Sequence, residues 1–342
     1  MKGIVRRVWL PLCALLVCCS GPERSGSLPA PAVGSTANRL RSVVQRLTTL
    51  GSDPLHKGER HVWQYGQLCA ASDFIERQFR AMGYAVRRQE FDSHGPVKVW
   101  NLIAELPGSG PGIFTIGAHY DTRVAMSTPR VHGPPLPELQ GTPGANDNGS
   151  GVAVMLELAR RLRTTHPRQT IRFVAFTNEE PPWFRTEFMG SLVYVRRCKA
   201  NGETLTGAMV FDTVGYYTQD EASQTYPFPN VTGLPKTGNY VAFISTWGPR
   251  ELIQRADAAF GEKDKLPSLA VALPAVVPVI AWSDDWAFTQ EGIPAFCVTD
   301  TAHARYHCYH RVCDTAEKLD YNKMAIVADG LVPVVNALVA TP

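Results

Sequence analysis

Four short apolar runs constrain what this chain can fold into, because each breaks off abruptly into acidic or imidazole side chains. Ile113–Gly117 runs into Ala118-His119-Tyr120-Asp121, and Thr170–Phe176 runs into Asn178-Glu179-Glu180-Pro181-Pro182. Ala208–Phe211 runs into Asp212-Thr213-Val214-Gly215, and the run over 294–299 leads to Arg305-Tyr306-His307-Cys308-Tyr309-His310 and then Asp314-Thr315. Short runs that are apolar on both faces are strands of a sheet covered on both sides. Helical periodicity fills the intervals. From Gly149 onward, Val152, Met155, Leu156, Ala159 and Leu162 share one face, and further helices are predicted over 187–199, 249–261, 285–291 and 322–340. This alternation predicts an α/β fold: one domain of three α/β/α layers around a mixed, mostly parallel central sheet. Ligands of such sheets bind beyond the carboxyl ends of the strands, where all the polar clusters lie.

The remaining body is read the same way. Helices are expected over 38–50 and over 67–82, where Leu68, Ser72, Ile75, Phe79 and Met82 recur at helical spacing and Gly83 supplies the stop. Strands are expected over 84–91, 98–105 and 239–245, and the Pro- and Gly-rich stretch 123–145 is expected to be an irregular loop. A net charge of +3 on 342 residues gives no reason to invoke nucleic acid, since the arginines are scattered and not gathered into a patch.

The N-terminus differs in kind. Lys2, Arg6 and Arg7 precede an apolar stretch from Val8 to Val17 that is too short to span a bilayer, and small polar residues follow. The expectation is an export signal over 1–20, a flexible tether over 21–36 and a catalytic domain over 37–342, with a periplasmic, envelope-anchored or extracellular destination. Leu16-Val17-Cys18-Cys19 resembles a bacterial lipobox, which would place a lipid anchor on Cys19. No transmembrane span is expected. Five cysteines remain in the body: Cys69, Cys198, Cys297, Cys308 and Cys313. An exported chain can pair them, and Cys308 and Cys313 are the closest two.

The strand-end clusters suit metal-assisted hydrolysis. Imidazole and carboxylate are the ligands zinc takes when a coordination position stays open. Two histidines and three carboxylates, His119, Asp147, Glu180, Asp212 and His310, suffice for two zinc ions with one carboxylate shared. A further carboxylate must take a proton from water and pass it to the leaving group, and Glu179 stands beside a ligand for that purpose. Adjacent residues of a strand face opposite sides, so Glu179 and Glu180 can share a site only past the strand end, where Pro181-Pro182 is expected to stop it. Asp121 and Asp314 are candidates to orient the imidazoles of His119 and His310.

These residues carry a family resemblance. Asn101-Leu-Ile-Ala-Glu-Leu-Pro-Gly108, Gly117-Ala-His-Tyr-Asp121, Gly144-Ala-Asn-Asp-Asn-Gly-Ser-Gly151, Asn178-Glu-Glu-Pro-Pro182, Phe211-Asp212 and Tyr309-His310 with Asp314-Thr315 together resemble the co-catalytic zinc aminopeptidases. Relatives of that family include glutamate carboxypeptidases and glutaminyl cyclases. The resemblance covers roughly residues 38–340. It implies that Asp147 bridges two zinc ions, that His119 and Asp212 complete one and Glu180 and His310 the other, and that Glu179 is the general base acting on a peptide substrate. Two departures stand out. Ser283-Asp284-Asp285 occupies the place of the usual Ser-Asp-His, which changes a group behind the ligands or in the pocket, with Asp284 in the supporting role. Tyr309-His310-Arg311-Val312-Cys313 replaces the usual Tyr-His-Thr-Pro, and His310 is preferred to His307 by its distance from Asp314-Thr315.

The leading expectation is therefore an exopeptidase, and specifically an aminopeptidase acting through metal-activated water. Two readings compete with it. A glutaminyl cyclase-like acyltransferase would use one zinc, and a non-catalytic binding module on the same scaffold would be expected to have lost ligands. A serine hydrolase is disfavoured because no G-x-S-x-G elbow is present. A separate zinc site from His303, His307, Cys308 and Cys313 is disfavoured by spacing. Trp183, Phe184, Trp282 and Trp286 are candidate pocket walls.

Overall fold

The computed structural model describes residues 34–95, 97–124, 139–226, 233–262, 264–277 and 279–340. The expected export signal with Cys19, and most of the expected tether, lie outside the described residues. The chain begins with helices α1 (Thr36–Thr48) and α2 (Tyr65–Ala81), followed by strands β1 (Val86–Asp92), β2 (Lys98–Leu106) and β3 (Ile113–His119). Then come α3 (Gly151–Leu162), β4 (Thr170–Phe176), α4 (Gly190–Ala200), β5 (Leu205–Phe211), β6 (Val241–Thr246) and α5 (Arg250–Ala259). The series ends with β7 (Ser268–Leu273), α6 (Asp285–Gln290), β8 (Ala295–Thr299), the short α7 (Ala302–Arg305) and α8 (Tyr321–Val339).

The strands form one sheet in the order β1-β2-β4-β3-β5-β8-β6-β7. Its centre, β4-β3-β5-β8, is parallel. β1 and β2 are antiparallel to each other, and β2 is antiparallel to β4, while β6 is antiparallel to β8 and parallel to β7. The mixed three-layer α/β/α arrangement is as the sequence implied. Alternation along each central strand feeds two cores. On β4, Ile171, Phe173 and Ala175 join the larger cluster with α1, α3 and α8, whereas Val174 and Phe176 turn to α4 and Phe288 of α6. Arg172 breaks the apolar run and is held by Glu105 and Glu203, each at 2.5 Å.

Local chemistry starts and stops the helices. Ser35 caps α1 by accepting from the Asn38 amide at 3.2 Å, and Asp320 caps α8 through the Asn322 and Lys323 amides. Helix α8 is long and apolar enough to cross a membrane by length and composition, where no segment of that kind was expected. It instead packs on α1, α3 and α5, burying Leu331, Val334, Val335 and Leu338. β7 was not expected from sequence. Its Ser-Leu-Ala-Val-Ala-Leu is short, apolar at five of six positions and mostly half-buried at the sheet edge, so no apolar–polar alternation marks it.

On α3, the buried Glu157 receives Arg160 and Arg161 of its own helix and Arg39 of α1. Burial would raise its carboxyl, but the three guanidiniums outweigh that and hold it down at about 2. A depressed folded value contributes stability above about pH 4.5 that is lost as pH falls toward 2. Glu157→Gln is therefore expected to lower stability by about 2 kcal/mol at pH 7, with the gap closing in chemical melts run at progressively lower pH.

Candidate metal centre

Three parallel strands deliver the first groups. His119 is the last residue of β3 and Asp212 the first after β5, while Glu179 and Glu180 follow β4 by three and four positions. Because β4, β3 and β5 are neighbours in register, their carboxyl ends bring these side chains together. Strand β4 stops at Phe176, earlier than Pro181-Pro182. Asn178 takes a left-handed φ of 58°, and the Asp121 carboxylate then accepts the backbone amides of Glu179 at 3.2 Å and Glu180 at 3.1 Å. This clamp turns both glutamates to one side.

Asp147 comes from the loop before α3. Gly144 turns that loop at φ +62°, where a Cβ would stand 2.4 Å from the Asp147 carbonyl oxygen. Asp314 does not act on an imidazole as expected. Its carboxylate accepts the Asn146 and Asp147 amides at 2.8 and 3.0 Å and the Tyr306 hydroxyl at 3.1 Å, so it positions Asp147. The buried Arg60 guanidinium donates to the carbonyls of Tyr120, Pro143 and Gly144, tying the loop after β3 to the loop carrying Asp147.

The five expected ligands and Glu179 converge. Asp147 lies between two groups: its Oδ1 is 3.3 Å from His119 Nε2, and its Oδ2 is 2.9 Å from His310 Nε2. His119 Nε2 is also 3.8 Å from Asp212 Oδ2 and 3.8 Å from Glu179 Oε2, while His310 Nε2 is 3.4 Å from Glu180 Oε1. His119, Glu179 and Asp212 form one set of three with ligand atoms within 4.8 Å, and Asp147, Glu180 and His310 form a second. The His119 ring is held from behind by Asp121, whose carbonyl oxygen is 3.3 Å and whose Oδ1 is 3.6 Å from Nδ1. Tyr309 stacks on His310 at a centroid distance of 3.8 Å.

Several observations show that this donor set fits metal. His119 Nε2, Asp147 Oδ2 and Glu180 Oε1 are buried and, close as imidazole and carboxylate stand, none makes a well-directed hydrogen bond among the described residues, an arrangement otherwise costly in a protein interior. Burial, with repulsion from Asp212, Glu180 and Asp284, pushes the Glu179 carboxyl well above its usual range despite His119. Burial and Asp147 do the same to Asp212. For Asp147, burial is outweighed by His119 and His310, which hold it below the ordinary carboxylate range. Burial opposes a charge on His310, but Glu180 and Asp147 raise it to about 10. So many carboxylates around two imidazoles repel one another, and a multivalent cation between them removes that repulsion.

Asp284 is fully buried, with neither carboxylate oxygen hydrogen-bonded among the described residues, and burial lifts it to about 7. Sequence reasoning missed Asp300, the residue directly after β8. Its carboxylate accepts from the Asn146 side chain, the Thr213 hydroxyl and the Gly215 and Tyr216 amides, tying the Asp147 loop to the loop after Asp212. The signal was available, because it too is an acidic residue at a central strand end. Cys308 and Cys313 form a disulfide, which uses the sulfurs that a separate zinc site would have needed. Trp183 is buried and donates to the Ser93 carbonyl, and Phe184 and Trp286 pack on Met189, Leu192 and Ala287. Trp282 alone of the four expected pocket aromatics borders the cleft beside the centre. That cleft, open to solvent, is also lined by Asp212, Thr213, Asp285, His303 and Tyr309.

Comparison with known proteins agrees with this geometry. The family model described as Peptidase family M28 matches residues 101–335. The uncharacterized protein YfbL of Escherichia coli (strain K12) is 32% identical over 309 residues, 90% of this chain and 90% of that one. A probable zinc metalloprotease of Pyricularia oryzae is 30% identical over 196 residues, which cover 53% of this chain and 36% of that longer protein. Among solved structures, a leucine aminopeptidase precursor from Bacteroides thetaiotaomicron has a TM-score of 0.62 at 17% identity, covering 90% of this chain and 97% of that one. A glutaminyl cyclase from Porphyromonas gingivalis has a TM-score of 0.62 at 20% identity, covering 87% and 97%. At these identities the two structures speak for the fold alone. The family match across the whole site and the full-length relative lead to one conclusion: the chain belongs to peptidase family M28, a family of zinc-dependent hydrolases.

Proposed function

We propose that this protein is an aminopeptidase that holds two zinc ions and removes the N-terminal residue of peptides. The observation that carries the reading is Asp147, whose two carboxylate oxygens face separate groups, His119 and Asp212 on one side and Glu180 and His310 on the other. Zinc, when bound there, supplies Lewis acidity toward a carbonyl oxygen and makes water a stronger acid. Glu179 is the base: its carboxylate accepts the water proton and passes it to the departing amine. Asp121 holds the backbone under Glu179 and Glu180, so that base and ligand keep their spacing. The adjoining cleft is lined by Asp212 and Asp285, with no lysine or arginine among its described residues. Such a lining favours a substrate that brings positive charge, as a free N-terminus does, over one that brings a carboxylate. We also propose that the chain is exported, on the strength of its N-terminal sequence and of a disulfide that requires an oxidising compartment.

The test is elemental analysis of the purified protein together with hydrolysis of aminoacyl-anilides. Two zinc ions per chain and anilide cleavage abolished by a chelator and restored by zinc are expected. One zinc per chain with ring closure of N-terminal glutaminyl peptides would replace this reading by the cyclase. A metal-free, inert protein would leave only a binding role.

A further inference from the structure

The cleft beside the metal centre contains a buried carboxyl group that takes no part in the proposed proton transfer. Asp285 is 1% exposed and lines the cleft, and its Oδ1 has no hydrogen-bond partner among the described residues. A buried carboxylate oxygen without a donor is costly and calls for a partner that the described residues do not supply. The other groups facing the cleft supply no positive charge. His303 is held down to about 4 by burial and Arg305, so it is neutral near pH 7, and Asp212 adds a second carboxylate. Trp282, about half exposed at 47%, stands at the same cleft with His303 against its ring edge. An aromatic face and a deep carboxylate suit a long side chain with an apolar stem and a cationic end. Asp285 also stands where the resembling family usually carries histidine, so the change puts a carboxyl group into this wall, one that burial lifts to about 7 and that a bound cation would hold in its charged form.

We propose that this cleft receives the side chain of the substrate's N-terminal residue and that Asp285 selects lysine or arginine there. The inference rests on the exopeptidase reading for its placement. Asp212 belongs to both the metal centre and the cleft, and Tyr309 joins the cleft to His310. A peptide whose first carbonyl lies at the centre therefore has its adjacent side chain at the cleft mouth. Asp285 makes no contact with the reacting atoms in this scheme, and its effect is on which residue binds.

Calorimetry on the zinc-loaded protein with L-lysine hydroxamate and L-norleucine hydroxamate tests the inference without turnover, so its outcome is separable from that of the aminopeptidase reading. At least tenfold tighter binding of the lysine compound is expected. In Asp285→Asn and in Asp285→His, the residue usual in the family, the preference is expected to vanish, with the ratio of lysyl- to leucyl-anilide kcat/KM falling at least tenfold. Equal affinity of the wild type for the two hydroxamates, or a preference retained in both variants, would overturn the assignment alone, whereas binding of neither would overturn the exopeptidase reading and the assignment with it. If one variant fails to fold, the wild-type affinity ratio and the other variant decide.

Discussion

Asp147→Asn is expected to purify with less than one zinc per chain and to lose at least about a thousandfold in kcat/KM, equivalent to about 4 kcal/mol of transition-state stabilisation. The substitution keeps the size of the side chain but exchanges a carboxylate for a neutral amide. Each flanking group would then be left with two charged or imidazole donors, His119 and Asp212 on one side, Glu180 and His310 on the other. A zinc site closed by fewer than three protein ligands is weak. The loop itself should stay in place, because Asp314 and Gly144 hold it through backbone atoms that the substitution leaves untouched. A far-ultraviolet spectrum matching the wild type, beside elemental analysis, separates loss of metal from loss of fold. Retention of two zinc ions would show that Asp147 does not bridge them.

Glu179→Gln is the second large effect and differs from the first in what it should preserve. Two zinc ions per chain are expected to remain, while kcat falls by about 10²–10⁴ with little change in KM, the signature of a lost proton carrier. The geometry makes this a sharp test. Glu179 Oε2 is as close to His119 Nε2 as Asp212 Oδ2 is, both at 3.8 Å, so Glu179 has the position of a ligand as well as of a base. Steady-state kinetics beside zinc analysis decide the matter. Activity lost together with one zinc would make Glu179 a ligand and leave the base to be found elsewhere, whereas activity lost with both ions in place assigns it the proton.

Most of the site was legible because the chemistry sits at strand ends. Parallel strands with apolar faces predict that His119, Glu179, Glu180 and Asp212 share one edge, and the sheet order brings β4, β3 and β5 side by side as neighbours. The elements the sequence concealed lacked a local signature. β7 is a short edge strand without apolar–polar alternation, and Arg60 looks like any surface arginine until its guanidinium is found buried among three carbonyls of distant loops. Asp314 was expected behind His310 because the two are close in sequence. It serves Asp147, far away in the chain, because a carboxylate takes the nearest free amides in space.

By itself the sequence determined which polar groups stand at the strand ends, since hydrophobic periodicity and abrupt polar breaks are properties of neighbouring residues. It equally determined the layered α/β architecture, because burial on both faces of a strand follows from the strand's own composition. Tertiary structure alone decided how those groups face one another. It set Asp147 between two imidazoles, turned both glutamates to one side through the Asp121 clamp, and placed Asp285 at the cleft instead of on the metal centre. Such relations depend on hydrogen bonds between segments separated by scores of residues, and those bonds exist only once the sheet has brought the loops together.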